Sequence, residues 1–392
     1  MNNINLEKTS LLTEVLDIVR SRETEIVARI KKVVEVESPS GYEAGSRAVV
    51  SLLEGQAREL GWVTSVTRIF VNGYGEHLKI ELFPKGSIEG KPVLLLGHTD
   101  TVHPVGSLAQ RPWRVENGRI YAPGIFDMKA NCVMALEAIA AMEKLGIAPS
   151  APIVIMLMCD EETGSENGRA HVEEEAKQSK AVLVLEPPAP GGIVKTGRKG
   201  TGMFTVEAKG IASHAGLDPE KGASAILEMA RQIERLHAMT DYSRGTTVNV
   251  GVISGGTRSN VVAENATAEV DTRFTSNEEG QRLQEAIMAA EPVDSRVKLS
   301  IHGAINRPPL ERNELTLGLY RKAKAIAAEI GFDLPETQVG GASDGNFAAA
   351  LGVAVLDGLG VDGDGAHAAH ENIMIDDLPK RAALLAGLLS RL

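Results

Sequence analysis

Side chains that bind metal ions recur in this sequence at places where a buried strand is expected to end. The apolar run 94–96 leads through a glycine to a histidine, and two later apolar runs, 153–158 and 181–185, are followed by acidic residues. Two histidines and three carboxylates suit a pair of borderline divalent ions with one bridging carboxylate. Zn²⁺ is the favoured ion, although Co²⁺ and Mn²⁺ accept the same ligands. The candidate ligands are His98, Asp127, Glu162, Glu186 and one histidine of the loop 365–371, which contains His367 and His370.

Each candidate ligand, taken alone, has a more common structural role. A single histidine such as His98 is more often a core or surface residue. Asp127 precedes a helical pattern, and an aspartate there is usually a helix N-cap. The adjacent acids at 160–162 would usually form a solvated turn. A solvated turn has no reason to follow directly on an apolar strand, however, so the shared position at strand ends favours one common metal site.

The elements that must position these residues are predicted by four short apolar runs, at 94–96, 153–158, 181–185 and 353–356. Such runs, separated by helical patterns, are typical of parallel strands that are covered on both faces. Ligands of open sheets of this kind gather at the carboxyl ends of the strands. We therefore predict an α/β fold with a mainly parallel sheet flanked by helices. Helices are predicted at 10–36, in one or two segments, at 44–60 and at 128–145, with Asp127 as the N-cap of the last one, and further strands at 66–71 and 77–82.

The segment 199–302 has a different pattern. Alternating strands and two amphipathic helices, at 223–238 and 277–290, follow one another in the order β-α-β-β-α-β. This order is that of a self-contained ferredoxin-like module, inserted after the third strand of the first domain. We therefore predict a metal-binding domain formed by residues 1–197 and 307–392 and an inserted domain formed by residues 198–306.

Size and charge narrow the classes of function. The 392 residues exceed the ~250–300 at which a single core stops growing. A net charge of −11 and a pI near 5.4 disfavour binding to nucleic acid. The amino terminus has no apolar stretch of the signal-peptide type, and no apolar run approaches the ~18 residues of a membrane span, so a soluble cytoplasmic protein is expected. Cys132 and Cys159 lack metal-site spacing and are expected to be buried packing residues.

Six motifs occur in the order and with the separations typical of the M20 metallopeptidase family: HTDTV, GIFDMKANCVMALEA, MCDEETGSENG, VLEP, ASHAG and GAHAAHEN. Most closely, the chain resembles the glutamate carboxypeptidase (carboxypeptidase G2-like) branch of that family. The similarity extends over nearly the whole chain, including the inserted module. Each motif alone is weak, but the combination is highly specific.

The resemblance implies that two zinc ions are held by His98, Asp127, Glu162, Glu186 and His367. Asp127 would bridge the ions, with His98 and Glu186 on one and Glu162 and His367 on the other. His367 is chosen over His370 because the family spacing is a histidine, three residues and a glutamate. Asp100 would orient His98 from behind. The family also implies a cis peptide bond after the bridging aspartate.

The resemblance also assigns catalytic roles. Glu161 resembles the general base that takes a proton from a metal-bridging water and returns it to the leaving amine. His214 resembles the histidine that reaches the active site of the other subunit and stabilises the oxyanion, which implies a homodimer in which the inserted domain serves as dimerisation and lid domain. A surface histidine at a strand end is the alternative for His214.

The resemblance also implies residues that bind the substrate, although fewer motifs support them than support the metal ligands. Arg273 and Asn260 resemble the carboxylate-binding pair of the family, although an arginine at a strand end is often part of a surface ion pair. The glycine-rich loop that contains Gly341 and Ser343 precedes a helix. It is expected either to present backbone N–H groups to a second carboxylate or to be a plain helix entry.

We therefore expect a dizinc carboxypeptidase that hydrolyses the amide bond to a carboxyl-terminal amino acid, with glutamate as the expected residue. Its substrate would be a small molecule or peptide with a free carboxylate. An N-acyl-amino-acid amidohydrolase (aminoacylase or deacetylase) or a dipeptidase of the same fold is the first alternative. A non-catalytic binding homologue is the second. The presence of Glu161 with all five ligand types argues against the second alternative.

Overall fold

The structure is a computed structural model that describes residues 2–83 and 90–392, and it divides into two compact units. The first unit takes the chain up to Gly197, together with Arg312–Val339 and Ser343–Leu392. The second unit consists of Arg198–Glu311 and the short segment Gly340–Ala342.

Among the described residues the strands are β1 (Val63–Val71), β2 (Gly75–Leu82), β3 (Val93–His98), β4 (Arg114–Glu116), β5 (Arg119–Tyr121), β6 (Ile153–Met158), β7 (Ala181–Val184), β8 (Val194–Arg198), β9 (Gly200–Lys209), β10 (Thr247–Gly255), β11 (Asn265–Phe274), β12 (Lys298–Arg307), β13 (Glu336–Val339), β14 (Val355–Leu356), β15 (Gly363–Asp364) and β16 (Asn372–Met374).

The α-helices are α1 (Asn2–Ser21), α2 (Glu23–Val34), α3 (Glu43–Ala57), α4 (Ser107–Gln110), α5 (Ala130–Leu145), α6 (Arg169–Gln178), α7 (Ala225–His237), α8 (Asn277–Met288), α9 (Glu314–Ile330), α10 (Gly345–Ala350) and α11 (Leu378–Arg391).

The main sheet of the first unit has the strand order β1-β2-β6-β3-β7-β14. Strand β3 is parallel to β6 and to β7, and β14 is parallel to β7, whereas β2 is antiparallel to both β1 and β6. Every residue of β3, β6 and β7 is buried, which is why these strands are apolar without alternation. The predicted α/β fold with a mainly parallel sheet is confirmed.

Helices of the first unit pack around α5, which is buried on nearly all sides. The predicted helix at 10–36 is two helices, α1 and α2. The prediction that Asp127 caps the helix at 128–145 is wrong, because α5 begins at Ala130 with Lys129 at its N-cap position. Residues Ile125–Lys129 form an irregular turn in which the Asp127–Met128 peptide bond is cis, as the family resemblance implied.

The second unit contains one antiparallel sheet in the order β10-β11-β9-β12, with α7 and α8 packed on it. The element order β9-α7-β10-β11-α8-β12 is the predicted β-α-β-β-α-β order. Both helices have a serine N-cap: Ser224 accepts from the N–H of Leu227, and Ser276 accepts from the N–H of Glu279.

Cys132 and Cys159 are buried free thiols, as predicted. Among the described residues, none of the helices combines the length and the apolar character that a membrane crossing requires.

His77 on β2 makes a pH-dependent contribution to stability. It is fully buried, and its Nδ1 atom accepts a hydrogen bond from the N–H of Cys159 at 3.0 Å. Burial lowers the pKa of His77 to about 4. The unfolded chain, with an ordinary histidine pKa near 6.5, therefore binds one more proton between pH 6.5 and 4, and stability is lost as the pH falls through this range.

We predict that the free energy of unfolding falls by about 1.4 kcal/mol more in the wild-type protein than in His77→Asn between pH 7.5 and 5.5. Asparagine offers an acceptor near the Nδ1 position but cannot be protonated. Urea unfolding of both proteins at the two pH values measures this difference, since His77 is the only titratable residue by which they differ. His302→Asn, at an exposed histidine, is the control, and equal pH slopes for the wild type and His77→Asn would contradict the prediction.

Candidate metal centre

Three neighbouring strands bring candidate ligands to one edge of the main sheet. Strand β3 ends at His98, and it lies between β6 and β7. The chain that leaves β6 carries Glu161 and Glu162, and the chain that leaves β7 carries Glu186. Because the three strands are parallel, their carboxyl ends meet, and Glu186 Oε1 lies 3.4 Å from His98 Nε2.

Asp127 lies between the two candidate histidines. Its Oδ1 atom is 3.1 Å from His98 Nε2, and its Oδ2 atom is 3.3 Å from His367 Nε2. One carboxylate thus presents one oxygen to each imidazole. This is the arrangement that a bridging ligand between two cations requires.

Glu162 and Glu161 complete the cluster. Glu162 Oε2 lies 3.2 Å from His367 Nε2. Two triplets offer ligand atoms that all lie within 4.8 Å of one another: His98 with Asp127 and Glu162, and His98 with Glu161 and Glu186. The five predicted ligands and the predicted base therefore lie together.

The chemistry of this donor set fits divalent cations. Four carboxylates converge here, and buried carboxylates without counter-charge are costly. Glu162 Oε1 is buried and has no hydrogen-bond partner among the described residues. Imidazole nitrogen and carboxylate oxygen are ligands that Zn²⁺, Co²⁺ and Mn²⁺ accept.

In the metal-free chain the two histidines supply the positive charge. Hydrogen bonds to Asp127 and Glu162 raise the pKa of His367 to about 10. Burial lowers the pKa of His98, but its hydrogen bonds to Asp100, Asp127 and Glu186 outweigh this effect and raise the pKa well above the usual value. Protons and metal ions compete for the same nitrogen atoms, so metal binding releases protons and weakens as the pH falls.

Asp100 supports both sides of the cluster. Its carbonyl oxygen is 3.0 Å from His98 Nδ1, and its carboxylate is 3.4 Å from the same atom. The carboxylate also accepts the backbone N–H groups of Glu161 and Glu162, at 3.3 and 3.1 Å. Asp100 therefore holds the imidazole and the acidic turn in one arrangement.

Ser40 and Glu371 contribute contacts that sequence reasoning did not predict. Ser40 Oγ donates to Asp100 Oδ2 at 2.6 Å. Ser40 and Asp100 are 60 residues apart in the sequence, so no spacing indicates this contact. Glu371, which is the glutamate of the family spacing that begins at His367, accepts the backbone N–H of Asp127 at 3.0 Å.

The second unit brings His214 and Asn260 together. His214 is bridged to Val261, and the N–H of Ala215 donates to the carbonyl oxygen of Asn260 at 3.0 Å. His214 is exposed, and its Nδ1 atom accepts the N–H groups of Gly216 and Leu217. The proton of the neutral imidazole is therefore on Nε2, which is then a hydrogen-bond donor.

The other predicted substrate-binding residues have partners of their own. Arg273 forms a two-pronged ion pair with Asp271, with both N–O distances 2.8 Å. The carbonyl oxygen of Gly341 accepts from Arg198 Nη1 at 3.3 Å. Ser343 is buried, its N–H donates to Asn346 Oδ1 and its hydroxyl donates to Asp357. One backbone N–H group of this loop, that of Ser343, thus already has an acceptor in this structure.

Comparisons with known proteins agree with this picture. The profile of peptidase family M20/M25/M40 matches residues 94–391. Carboxypeptidase G2 of Pseudomonas sp. (strain RS-16) is 30% identical over 371 residues, covering 93% of this chain and 88% of that protein. Succinyl-diaminopimelate desuccinylase of Psychrobacter arcticus is 29% identical over 344 residues, covering 81% and 83%.

Solved structures show the same fold. Aminopeptidase PepT from Bacillus cereus superposes with a TM-score of 0.75 at 23% identity, covering 94% of this chain and 98% of that one. The M20 family metallo-carboxypeptidase Sso-CP2 from Sulfolobus solfataricus superposes with a TM-score of 0.70 at 18% identity, covering 93% and 98%. The predicted resemblance to the M20 family is confirmed.

We predict that His367→Ala binds one metal ion fewer than the wild-type protein, whereas His370→Ala binds as many. His367 contacts two carboxylates of the cluster, whereas His370 lies 3.6 Å from Asp364, outside the cluster, and has a side chain that is 63% exposed. Elemental analysis of the purified variants counts the ions. A loss in His370→Ala without one in His367→Ala would contradict the assignment.

Proposed function

Because the chain belongs to peptidase family M20/M25/M40 and is therefore a metal-dependent hydrolase, we propose that it is a dizinc carboxypeptidase. It hydrolyses the amide bond to a carboxyl-terminal amino acid, with glutamate preferred. The observation that carries this proposal is the position of Asp127 between His98 and His367, with Glu161 in the same cluster. The extent of the similarity to carboxypeptidase G2 supports the type of reaction.

In this proposal five residues hold the two ions. His98 and Glu186 would hold one ion, His367 and Glu162 would hold the other, and Asp127 would offer one carboxylate oxygen to each. The 3.4 Å separation within the first pair and the 3.2 Å separation within the second support this division. When bound, zinc ions polarise a carbonyl group and lower the pKa of a coordinated water towards ~7.

Glu161 is the proposed general base. It is 9% exposed, and its N–H is held by Asp100 Oδ1, so its backbone position is set by the same residue that orients His98. Its carboxylate accepts the proton of the water that attacks the scissile carbonyl. It then returns that proton to the nitrogen of the leaving amine, which departs as a free amino acid.

His214 is the proposed donor to the oxyanion, supplied by the partner subunit of a homodimer. The tautomer described above supports this role, because Nε2 carries a proton that it can donate. A donor is most effective when it is already oriented, and the two backbone N–H groups on Nδ1 hold the ring.

Arg273, Asn260, Gly341 and Ser343 are the proposed substrate-binding residues. The guanidinium group of Arg273 already binds one carboxylate, that of Asp271, in the geometry that it would use for a substrate. Binding therefore exchanges one carboxylate for another. Gly341 is exposed, whereas Ser343 is buried and would act by holding the loop.

An N-acyl-amino-acid amidohydrolase is the second candidate function. It is favoured by the desuccinylase relative, whose identity to this chain is only one percentage point lower than that of carboxypeptidase G2. Both reactions break an amide bond next to a carboxylate, and the cluster described above serves either. The group on the acyl side of the bond decides between them.

A release assay on a panel of substrates tests the proposal. We expect the zinc-loaded protein to release glutamate from N-acyl and peptidyl glutamates faster than it cleaves N-succinyl or N-acetyl derivatives of other amino acids. Chelation should abolish the release, and added Zn²⁺ should restore it. Preference for an N-succinyl substrate would favour the second candidate, and absence of release from the whole panel would indicate a binding homologue.

Glu161→Gln is the matched variant for this assay. Glutamine keeps the shape of the side chain but cannot accept the proton. Turnover should therefore fall by about 10²- to 10⁴-fold while the zinc content stays the same. Near-normal turnover would exclude Glu161 as the base.

Mixing two inactive variants tests the donation of His214 across a dimer. Hybrids of His214→Ala and Glu161→Gln contain one site with both groups intact, so unfolding and refolding the mixture should recover roughly a quarter of wild-type activity. Each variant treated alone is the control. No recovery, although hybrids are detected by mass spectrometry of differently tagged chains, would contradict donation across subunits.

A further inference from the structure

Glu371 is the centre of a buried hydrogen-bond network behind the candidate metal centre. It is 2% exposed, and each of its two carboxylate oxygens accepts two hydrogen bonds. Oε1 accepts the backbone N–H groups of Phe126 and Asp127, at 2.9 and 3.0 Å. Oε2 accepts the N–H of Gly124 at 2.7 Å and lies 2.6 Å from His103 Nε2. Four donors thus occupy the acceptor positions of one carboxylate.

Arg111 determines which nitrogen of His103 carries the proton. Arg111 Nη2 lies 3.2 Å from His103 Nδ1, and a guanidinium group can only donate. Nδ1 is therefore the acceptor, and the proton on Nε2 is donated to Glu371. Arg111 Nη1 also donates to the carbonyl oxygen of Ala368 at 3.3 Å. Both ring nitrogens of this buried histidine are thus engaged.

The network joins two chain segments that carry different candidate ligands. Gly124–Asp127 ends in the bridging aspartate, and the loop 365–371 contains His367, whose φ of +64° is unusual for a residue with a side chain. Glu371 belongs to the loop but binds three N–H groups of the other segment, while Arg111 binds the loop at Ala368. Displacement of Glu371 therefore affects Asp127 and His367 together.

We propose that Arg111, His103 and Glu371 form a positioning relay that sets the arrangement of Asp127 relative to His367 and thereby the metal affinity of the site. This inference rests on the proposed metal-dependent function. None of the three residues belongs to the ligand cluster, so they act through Asp127 and His367. The bond from His103 holds Oε2 so that Oε1 stays directed at the N–H of Asp127.

Two substitutions of His103 test the relay in the full-length chain. His103→Leu removes the donor, and His103→Gln retains an N–H near the position of Nε2. We expect His103→Leu to bind Zn²⁺ about 10- to 100-fold more weakly, as is typical when a supporting partner of a ligand is lost. His103→Gln should recover most of this affinity. Competition with a chromophoric chelator, after metal removal and reloading, measures the affinities.

A second measurement does not need the metal. In the metal-free chain, hydrogen exchange of a peptide covering 122–130 reports on the N–H groups of Phe126 and Asp127. Exchange should be faster in His103→Leu than in the wild-type protein, and close to wild type in His103→Gln. His370→Leu, in the same loop but outside the network, is the control in both experiments and should change neither value.

The two measurements separate the relay from the proposed function. If the wild-type chain binds no zinc, the proposed function fails, and the exchange experiment still decides whether the relay orders the Asp127 segment. Hydrogen exchange in His103→Leu equal to that of the wild type overturns the relay. If the wild type binds zinc, a zinc affinity of His103→Leu equal to that of the wild type overturns it as well. Equal defects in the leucine and glutamine variants would also overturn it, since they would indicate a packing role.

Arg111→Met serves as a further variant if His103→Leu does not fold. It leaves His103 in place but removes the group that fixes its tautomer. A smaller loss of zinc affinity in the same direction, with faster exchange of the 122–130 peptide, is expected. Wild-type values in both measurements would contradict the relay.

Discussion

Repulsion among carboxylates at one edge of a sheet is the constraint on which the first unit depends. Asp127, Glu161, Glu162 and Glu186 converge on two imidazoles, in surroundings where charges are poorly screened. Backbone N–H groups of the segments that carry Asp127, Glu161 and Glu162 are donated to two further carboxylates, Asp100 and Glu371, which fix the positions of these segments. The repulsion itself is offset by positive charge in the cluster, carried by protons on the histidines or by bound cations. Hydrogen bonds from the backbone N–H groups of Asp127, Glu161 and Glu162 thus help to fix the positions of these side chains.

The main sheet could be predicted closely because its central strands are buried on both faces. Such strands read as uninterrupted apolar runs, and β6 coincides with its run at 153–158. Strand β14 is shorter than its run at 353–356, because the parallel register with β7 pairs Val355 with Val182 and Leu356 with Leu183. The clustering of the candidate ligands could be predicted because the carboxyl ends of parallel strands lie side by side. Residues that are far apart in sequence therefore come close together in space.

The rest could not be predicted because the deciding contacts are long-range. An aspartate before a helical pattern looks like an N-cap whether or not it caps, and here the Asp127 carboxylate faces two histidines that are distant in sequence. Ser40 lies in a segment with the composition of an ordinary turn. In the second unit, by contrast, the Arg273–Asp271 pair is local, since residues two apart on a strand share a face. An ion pair was accordingly foreseeable as an alternative there.

The order in which the ligands occur along the chain has a consequence for biosynthesis. His98, Asp127, Glu162 and Glu186 all precede the second unit in sequence, whereas His367 and Glu371 follow it. A ribosome releases the first four candidate ligands long before the last one. Until then the aspartate at the centre of the cluster lacks one of its two imidazoles and the carboxylate that holds its backbone. The complete ligand cluster therefore forms only after His367 has been synthesised, and a nascent or truncated chain that ends before this residue presents four of the five candidate ligands.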